Sequence, residues 1–129
     1  MRILLDTHIW LWSIYEPSKI GRGLRRELND LENELWLSPI STWEALILQD
    51  KGRLQLEEDR GVWVAEATAP FREAPITHEV SLVSRQISLS HNDPADRFLA
   101  ATAKVLGLTL ATADIKLLGL GDIATLANR

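Results

Sequence analysis

The chain has 129 residues, 46% of them apolar and 25% charged, with 18 acids against 14 bases and no cysteine. These figures describe one ordinary globular domain over residues 1–129; they exclude a disulfide framework, thiolate metal sites and thiol catalysis. The net charge of −4 argues against a general polyanion binder, unless the acids gather around divalent ions that would each cancel about two of them.

No apolar run approaches the roughly 18 residues of a membrane span. The acid at Asp6 comes too early for a secretory leader, and with the missing cysteines the expected location is the cytoplasm. Arg2 to Leu5 reads as a short buried strand that Asp6 closes. Thr7 to Ile14 reads as a helix broken by Pro17. Lys19 to Leu31 carries Ile20, Leu24, Leu28 and Leu31 at helical spacing, which predicts an amphipathic helix weakened at Gly21 and Gly23. Leu35 to Leu37 is a second strand. Ser38 then caps a helix with Pro39 at its first position, running to about Lys51 and stopped by Gly52.

Asp59 to Ala69 is a further helix, ended by Pro70, and Ala74 to Ile76 a brief extended segment. Thr77 caps a helix to about Ile87, and Asp93-Pro94 opens another that stops at Gly107. Leu108 to Ala111 is a strand, Ile115 to Leu118 a helical turn, and Ile123 to Leu126 a last strand. Short apolar strands alternating with amphipathic helices predict an α/β sandwich on a parallel sheet. Sites in such sheets form beyond the carboxyl ends of the strands, where Asp6 and Asp114 both fall.

Asp6, Glu44, Asp96 and Asp114 all lie at the ends or borders of apolar segments. Carboxylates there add nothing to a core, and two at about 4 Å repel by on the order of 4 kcal/mol at a surface-like dielectric. Holding a divalent cation is the common reason to accept that cost. Each acid also has a plainer reading: Asp6, Asp93 and Asp114 as helix caps, Asp96 at the capping-box position, Glu44 on a solvated helix face. Glu44 lies beside Ile40 and Ile47, at the border of a stripe drawn through Ile40, Trp43, Ile47 and Lys51. What favours a shared site is recurrence at strand-to-helix junctions.

His8, His78 and His91 show no ligand spacing among themselves, although His8 adjoins Asp6. No phosphate loop, dinucleotide fingerprint or nucleophile elbow is present. An all-oxygen set suits Mg²⁺ or Mn²⁺, which can generate hydroxide and neutralise phosphodiester charge. Arg85, Arg97, Lys104 and Lys116 are candidates for gripping phosphates, or plain surface bases. Trp10 and Trp12 lie on different sides of one helix, so one of them is expected at a partner contact or both in a small core.

The order Leu4-Leu5-Asp6-Thr7-His8, Ser38-Pro39-Ile40-Ser41-Thr42-Trp43-Glu44, Asp93-Pro94-Ala95-Asp96-Arg97-Phe98 and Leu110-Ala111-Thr112-Ala113-Asp114 resembles a PIN domain, and more closely the VapC-type toxins of bacterial toxin–antitoxin pairs. The resemblance spans essentially the whole chain. It implies a three-layer fold with a central short, mainly parallel sheet, and a Mg²⁺- or Mn²⁺-dependent endoribonuclease. It also implies a VapB-like antitoxin, a homodimer, and DNA contact only through that antitoxin. Asp6, Glu44, Asp96 and Asp114 match the family's metal-site and catalytic acids, Thr112 its last hydroxyl, and Thr7 and Arg97 would position substrate. Asp93 matches an extra acid of some members. The rival expectations are a non-catalytic RNA-binding module, a PIN nuclease of RNA processing, and a phosphatase. The last of these lacks its usual second aspartate two residues after the first.

Overall fold

The computed structural model describes residues 1–90 and 92–129; His91 lies outside the described residues. Strands β1 (Arg2–Leu5), β2 (Glu34–Leu37), β3 (Arg72–Glu73), β4 (Thr109–Thr112) and β5 (Ala124–Ala127) form one sheet in the order β3-β2-β1-β4-β5. All of its pairings are parallel. The helices are α1 (Thr7–Tyr15), α2 (Arg22–Asn29), α3 (Pro39–Asp50), α4 (Arg60–Thr68), α5 (His78–Ser84), α6 (Pro94–Leu106) and α7 (Ile115–Leu118), with a 3-10 turn at Pro17–Lys19.

β1 shows why the sheet is covered on both faces. Successive side chains alternate, so Leu4 joins Leu99, Ala100, Ala101 and Leu110 on one side. Ile3 and Leu5 join Ile9, Trp10, Leu24, Ala45 and Trp63 on the other. Two apolar cores with one sheet between them make the expected three layers.

The chain builds β1, β2 and β3 outward in one direction, then returns to the far side of β1 for β4 and β5. The strand order therefore reverses between β1 and β4, which is where open parallel sheets leave a crevice. Ser38 caps α3 by accepting from the Ile40 N–H at 3.1 Å, with Pro39 in the first turn. Gly107, at φ 65°, ends α6 in the left-handed region that suits glycine.

Three sequence readings are corrected. The second helix begins at Arg22 and ends at Asn29, so Leu31 lies beyond it and is 99% exposed. Its start is set by the end of the chain: the Leu24 N–H donates to the Arg129 carbonyl at 2.8 Å and the Gly21 N–H to Asn128 Oδ1 at 2.8 Å. The third strand, Arg72–Glu73, comes just before the extended segment read at Ala74 to Ile76 and was not expected; the Ala74 N–H extends its pairing, to the Leu37 carbonyl. Along α3 the buried line is Ser41 and Ala45, and Trp43 is 52% exposed.

Candidate functional site

The site follows from strand register. Leu5 lies opposite Ala111, and the Asp6 N–H donates to the Ala111 carbonyl at 2.9 Å, so the β1–β4 ladder carries one residue past β1. Asp6 and Thr112 are the next residues along, continuing the face of Leu4 and Leu110. Thr112, fully buried, donates its hydroxyl to Asp6 Oδ2 at 2.6 Å and accepts from the Asp114 N–H at 3.0 Å. One threonine thus links the acids that follow both strands.

Asp6 occupies the N-cap position of α1 but makes no side-chain cap bond there. Asp114 does cap, accepting from the Lys116 N–H at 2.8 Å. Asp93 caps α6 by accepting from the Ala95 N–H at 3.0 Å. Asp96 sits in the first turn of α6. Glu44 comes from α3, where Ser41 and Glu44, three apart, share a face. Thr7, the first residue of α1, is hydrogen-bonded through Oγ1 to Ser41 Oγ at 2.8 Å and to Glu44 Oε1.

These residues line one cleft of about 350 Å³: Asp6, Thr7, His8, Trp12, Glu44, Asp93, Asp96, Ala113 and Asp114. Five of them are acids, and no lysine or arginine is among them. The electrostatics follow. Burial pushes the Asp6 carboxyl above its ordinary range, against the Thr112 hydrogen bond that lowers it. Burial also raises Glu44, opposed by Thr7 and reinforced by the charges of Asp93 and Asp6. Asp96 is pushed up to about 7, first by burial and then by Asp93, Asp6, Asp114 and Glu44 together. Several like charges around one carboxyl disfavour its ionised form, the signature of a candidate functional site.

Among the described residues no three acid or imidazole groups are arranged to ligate one ion directly. The donor set still fits a hard cation. It is all oxygen, and Mg²⁺ dehydrates reluctantly, binding through one or two carboxylates while keeping several waters.

Other expected residues fall elsewhere. Arg97 is adjacent to Asp96 in sequence, yet its guanidinium donates to the carbonyls of Ser84 (3.1 Å), Ile87 (3.1 Å) and Leu89 (3.2 Å). It ties down the segment after α5 and does not line the cleft, which corrects its expected hold on substrate. Lys104 pairs with Asp122 at 2.9 Å on the surface. Arg85 is the C-cap of α5, and Lys116 lies on α7 just past Asp114.

The sequence reading did not place Trp12 in the site. Trp10 is fully buried, donates Nε1–H to the Ala67 carbonyl at 3.1 Å, and packs at 50° on Trp63. Trp12 instead stacks on His8 at 5.9 Å and 17°, and both rings line the cleft. Their spacing of four on one helix was the signal available.

The PIN domain family model matches residues 3–122. Ribonuclease VapC22 of Mycobacterium tuberculosis is 30% identical over 116 residues, covering 89% of this chain and 88% of the relative. Among solved structures, the chain resembles that of VapBC2 from Rickettsia felis bound to a promoter DNA fragment, at a TM-score of 0.75 and 15% identity over 98% of both chains. It also resembles DNA-bound VapBC from Salmonella typhimurium, at a TM-score of 0.75 and 17% identity over 100% of this chain and 99% of that one. At these identities the structural matches speak for the fold alone.

Proposed function

The chain belongs to the PIN domain family, and on that footing we propose that it is a metal-dependent endoribonuclease, the toxin of a toxin–antitoxin pair, acting as one domain over residues 1–129. The observation that carries this reading is the gathering of Asp6, Glu44, Asp96 and Asp114, from four separate elements, into one cleft at the strand-order reversal. The relative named a ribonuclease supports the activity, and an antitoxin partner is consistent with the fold's likeness to a structure described as a toxin–antitoxin complex from Klebsiella pneumoniae.

Asp6, Asp96 and Asp114 would hold Mg²⁺ or Mn²⁺, directly or through water, with Glu44 completing the set. When bound, the ion supplies charge neutralisation at the phosphodiester and lowers the pKa of water. The chain's own contribution is orientation by neutral donors. Thr112 fixes Asp6 and, through its link to the Asp114 N–H, the start of α7. Thr7 holds Glu44 by Oε1, leaving Oε2 to receive a proton from the attacking water. That water forms the new P–O bond, the bond to the 3′ oxygen breaks, and the 3′ oxygen takes a proton from solvent. The products carry a 5′-phosphate and a 3′-hydroxyl.

The working assembly we propose adds a VapB-like antitoxin and a second copy of the chain, with DNA touched only through the antitoxin. No helix among the described residues is long and apolar enough to cross a membrane, and a cytoplasmic location fits an RNA substrate.

The test is cleavage of a labelled total-RNA pool by purified, antitoxin-free chain with Mg²⁺, with Mn²⁺ and with EDTA, beside Asp6→Asn and Asp96→Asn. Cation-dependent cuts lost in both variants are expected. Full cleavage by either variant would sink the assignment. RNA retained in EDTA with no cleavage under any condition would favour the non-catalytic binding module.

A further inference from the structure

The His8–Trp12 pair belongs to two hollows at once. One is the acidic cleft described above. The other is a second hollow of about 360 Å³ that includes Leu11, Tyr15, Leu48 and Arg53. His8 and Trp12 line both, so the two hollows adjoin at these side chains. His8 is exposed and Trp12 half-buried.

The charge differs between the two. Among the described residues the charged groups lining the cleft are five acids, with His8 beside them, whereas the second hollow has one acid, Glu16, and the exposed guanidinium of Arg53. Among the described residues no ion pair holds Arg53. The hollow's acid, Glu16, is paired with Lys19 at 3.0 Å, and Lys19 Nζ itself stands 5.5 Å from the Trp12 ring. Tyr15 is fixed there by accepting the Trp63 Nε1–H at 2.7 Å.

Aromatic faces beside a phosphate-binding cation are what an unpaired nucleotide requires. Every base has a π-face, and stacking on aromatic side chains is the common means of holding single-stranded RNA. We propose that the second hollow is a nucleotide subsite: a base next to the cut stacks on the His8–Trp12 pair, and Arg53 takes the phosphate beyond it. This rests on the ribonuclease reading and adds to it where the strand lies. A substrate held this way must be single-stranded at the cut, because a paired base has no free face to offer.

The experiment uses the Asp96→Asn chain in EDTA and short fluorescein-labelled oligouridylate and oligoadenylate, with binding read by anisotropy. Adding Trp12→Ala should weaken binding roughly tenfold, whereas Trp12→Phe should keep most of it. Quenching of tryptophan fluorescence by RNA should shrink in Trp12→Phe although binding persists, which a merely structural Trp12 would not produce. Arg53→Ala should lower the salt slope of binding by about one ion. Trp43→Ala, exposed outside both hollows, is the control and should change nothing. Equal RNA binding with and without Trp12 overturns the subsite, as does a Trp12→Ala chain that loses only a protein partner. If the unmodified chain still cuts RNA in either case, the ribonuclease reading stands alone. If it neither cuts nor binds RNA, both fall together.

Discussion

Asp96→Asn should abolish cleavage and, in the absence of divalent cations, make the protein more stable. The ordinary Asp value of 3.8 is raised to about 7 in the folded chain, first by burial and then by four neighbouring acids. Below pH 3.8 the group is protonated in both folded and unfolded states and contributes nothing to the difference. Between 3.8 and about 7 the folded chain still holds a proton that the unfolded chain has released. Stability therefore falls with rising pH, by up to about 1.4 kcal/mol per pH unit, and is level again above about 7.

Full conversion gives a ceiling of about 4 kcal/mol. The side chain is only partly buried, so solvent screening reduces the expected gain to about 2 kcal/mol. For a chain of this length that corresponds to roughly 7 °C in melting temperature. The assay is thermal unfolding by circular dichroism in EDTA, at about pH 4 and about pH 8, for parent and variant. The two proteins should melt together at the lower pH and separate at the higher. Adding Mg²⁺ at about pH 8 should narrow the gap, because an ion relieves the same repulsion in the parent. A gap of equal size at both pH values would refute the reasoning, since it would show that the asparagine acts by packing or hydrogen bonding and not by removing a charge.

Three further substitutions test the frame around the cleft. Thr112→Val keeps the shape but removes the hydroxyl on Asp6, which should cost about 2 kcal/mol in urea unfolding and reduce cleavage, with Thr112→Ser restoring both. Gly21→Ala should cost at least about 2 kcal/mol, because a Cβ there would lie 2.1 Å from the Arg129 carbonyl carbon; unchanged urea stability would show that the close approach is absent in solution. Arg97→Lys should cost about 2 kcal/mol and speed amide exchange between Ser84 and Leu89, since one ammonium cannot reproduce the guanidinium's fork. A loss of RNA cleavage with stability and exchange unchanged would instead put Arg97 on the substrate.

The parts legible in the sequence were those set by local rules. Buried strands read as apolar runs, and Ser38, Thr77, Asp93 and Asp114 read as caps, a role the structure gives to each. Asp6 and Asp114 could be placed at one sheet edge because each directly follows its strand. The buried face of α3 could not be read, because apolar periodicity weights large side chains. Where α3 lies against α1 the helices meet through Thr7 and Ser41, so the buried line is made of small residues and Trp43 is left outside. β3 was missed for a related reason: an exposed two-residue edge strand, Arg72 and Glu73, carries no apolar signal. Leu31 continued the helical spacing of three to four residues past the point where the helix had ended.

Arg97 marks the physical choice on which the site rests. An arginine next to Asp96 in sequence is well placed to pair with it, and such a pair would relieve the repulsion that lifts Asp96 toward 7. It would also fill the cleft with the protein's own cation. The guanidinium instead goes to three backbone carbonyls. Threonine hydroxyls and backbone N–H groups orient Asp6, Glu44 and Asp114. Neutral donors fix a carboxylate's direction without cancelling its charge, which on the metal-dependent reading would keep the attraction for an external cation at the expense of stability in its absence. The same logic separates the substitutions. Removing a charge, as in Asp96→Asn, should raise stability and end cleavage. Removing a neutral donor, as in Thr112→Val, should lower both. A protein in which the two kinds of change moved stability in the same direction would have a cleft organised by something other than repulsion among its carboxylates.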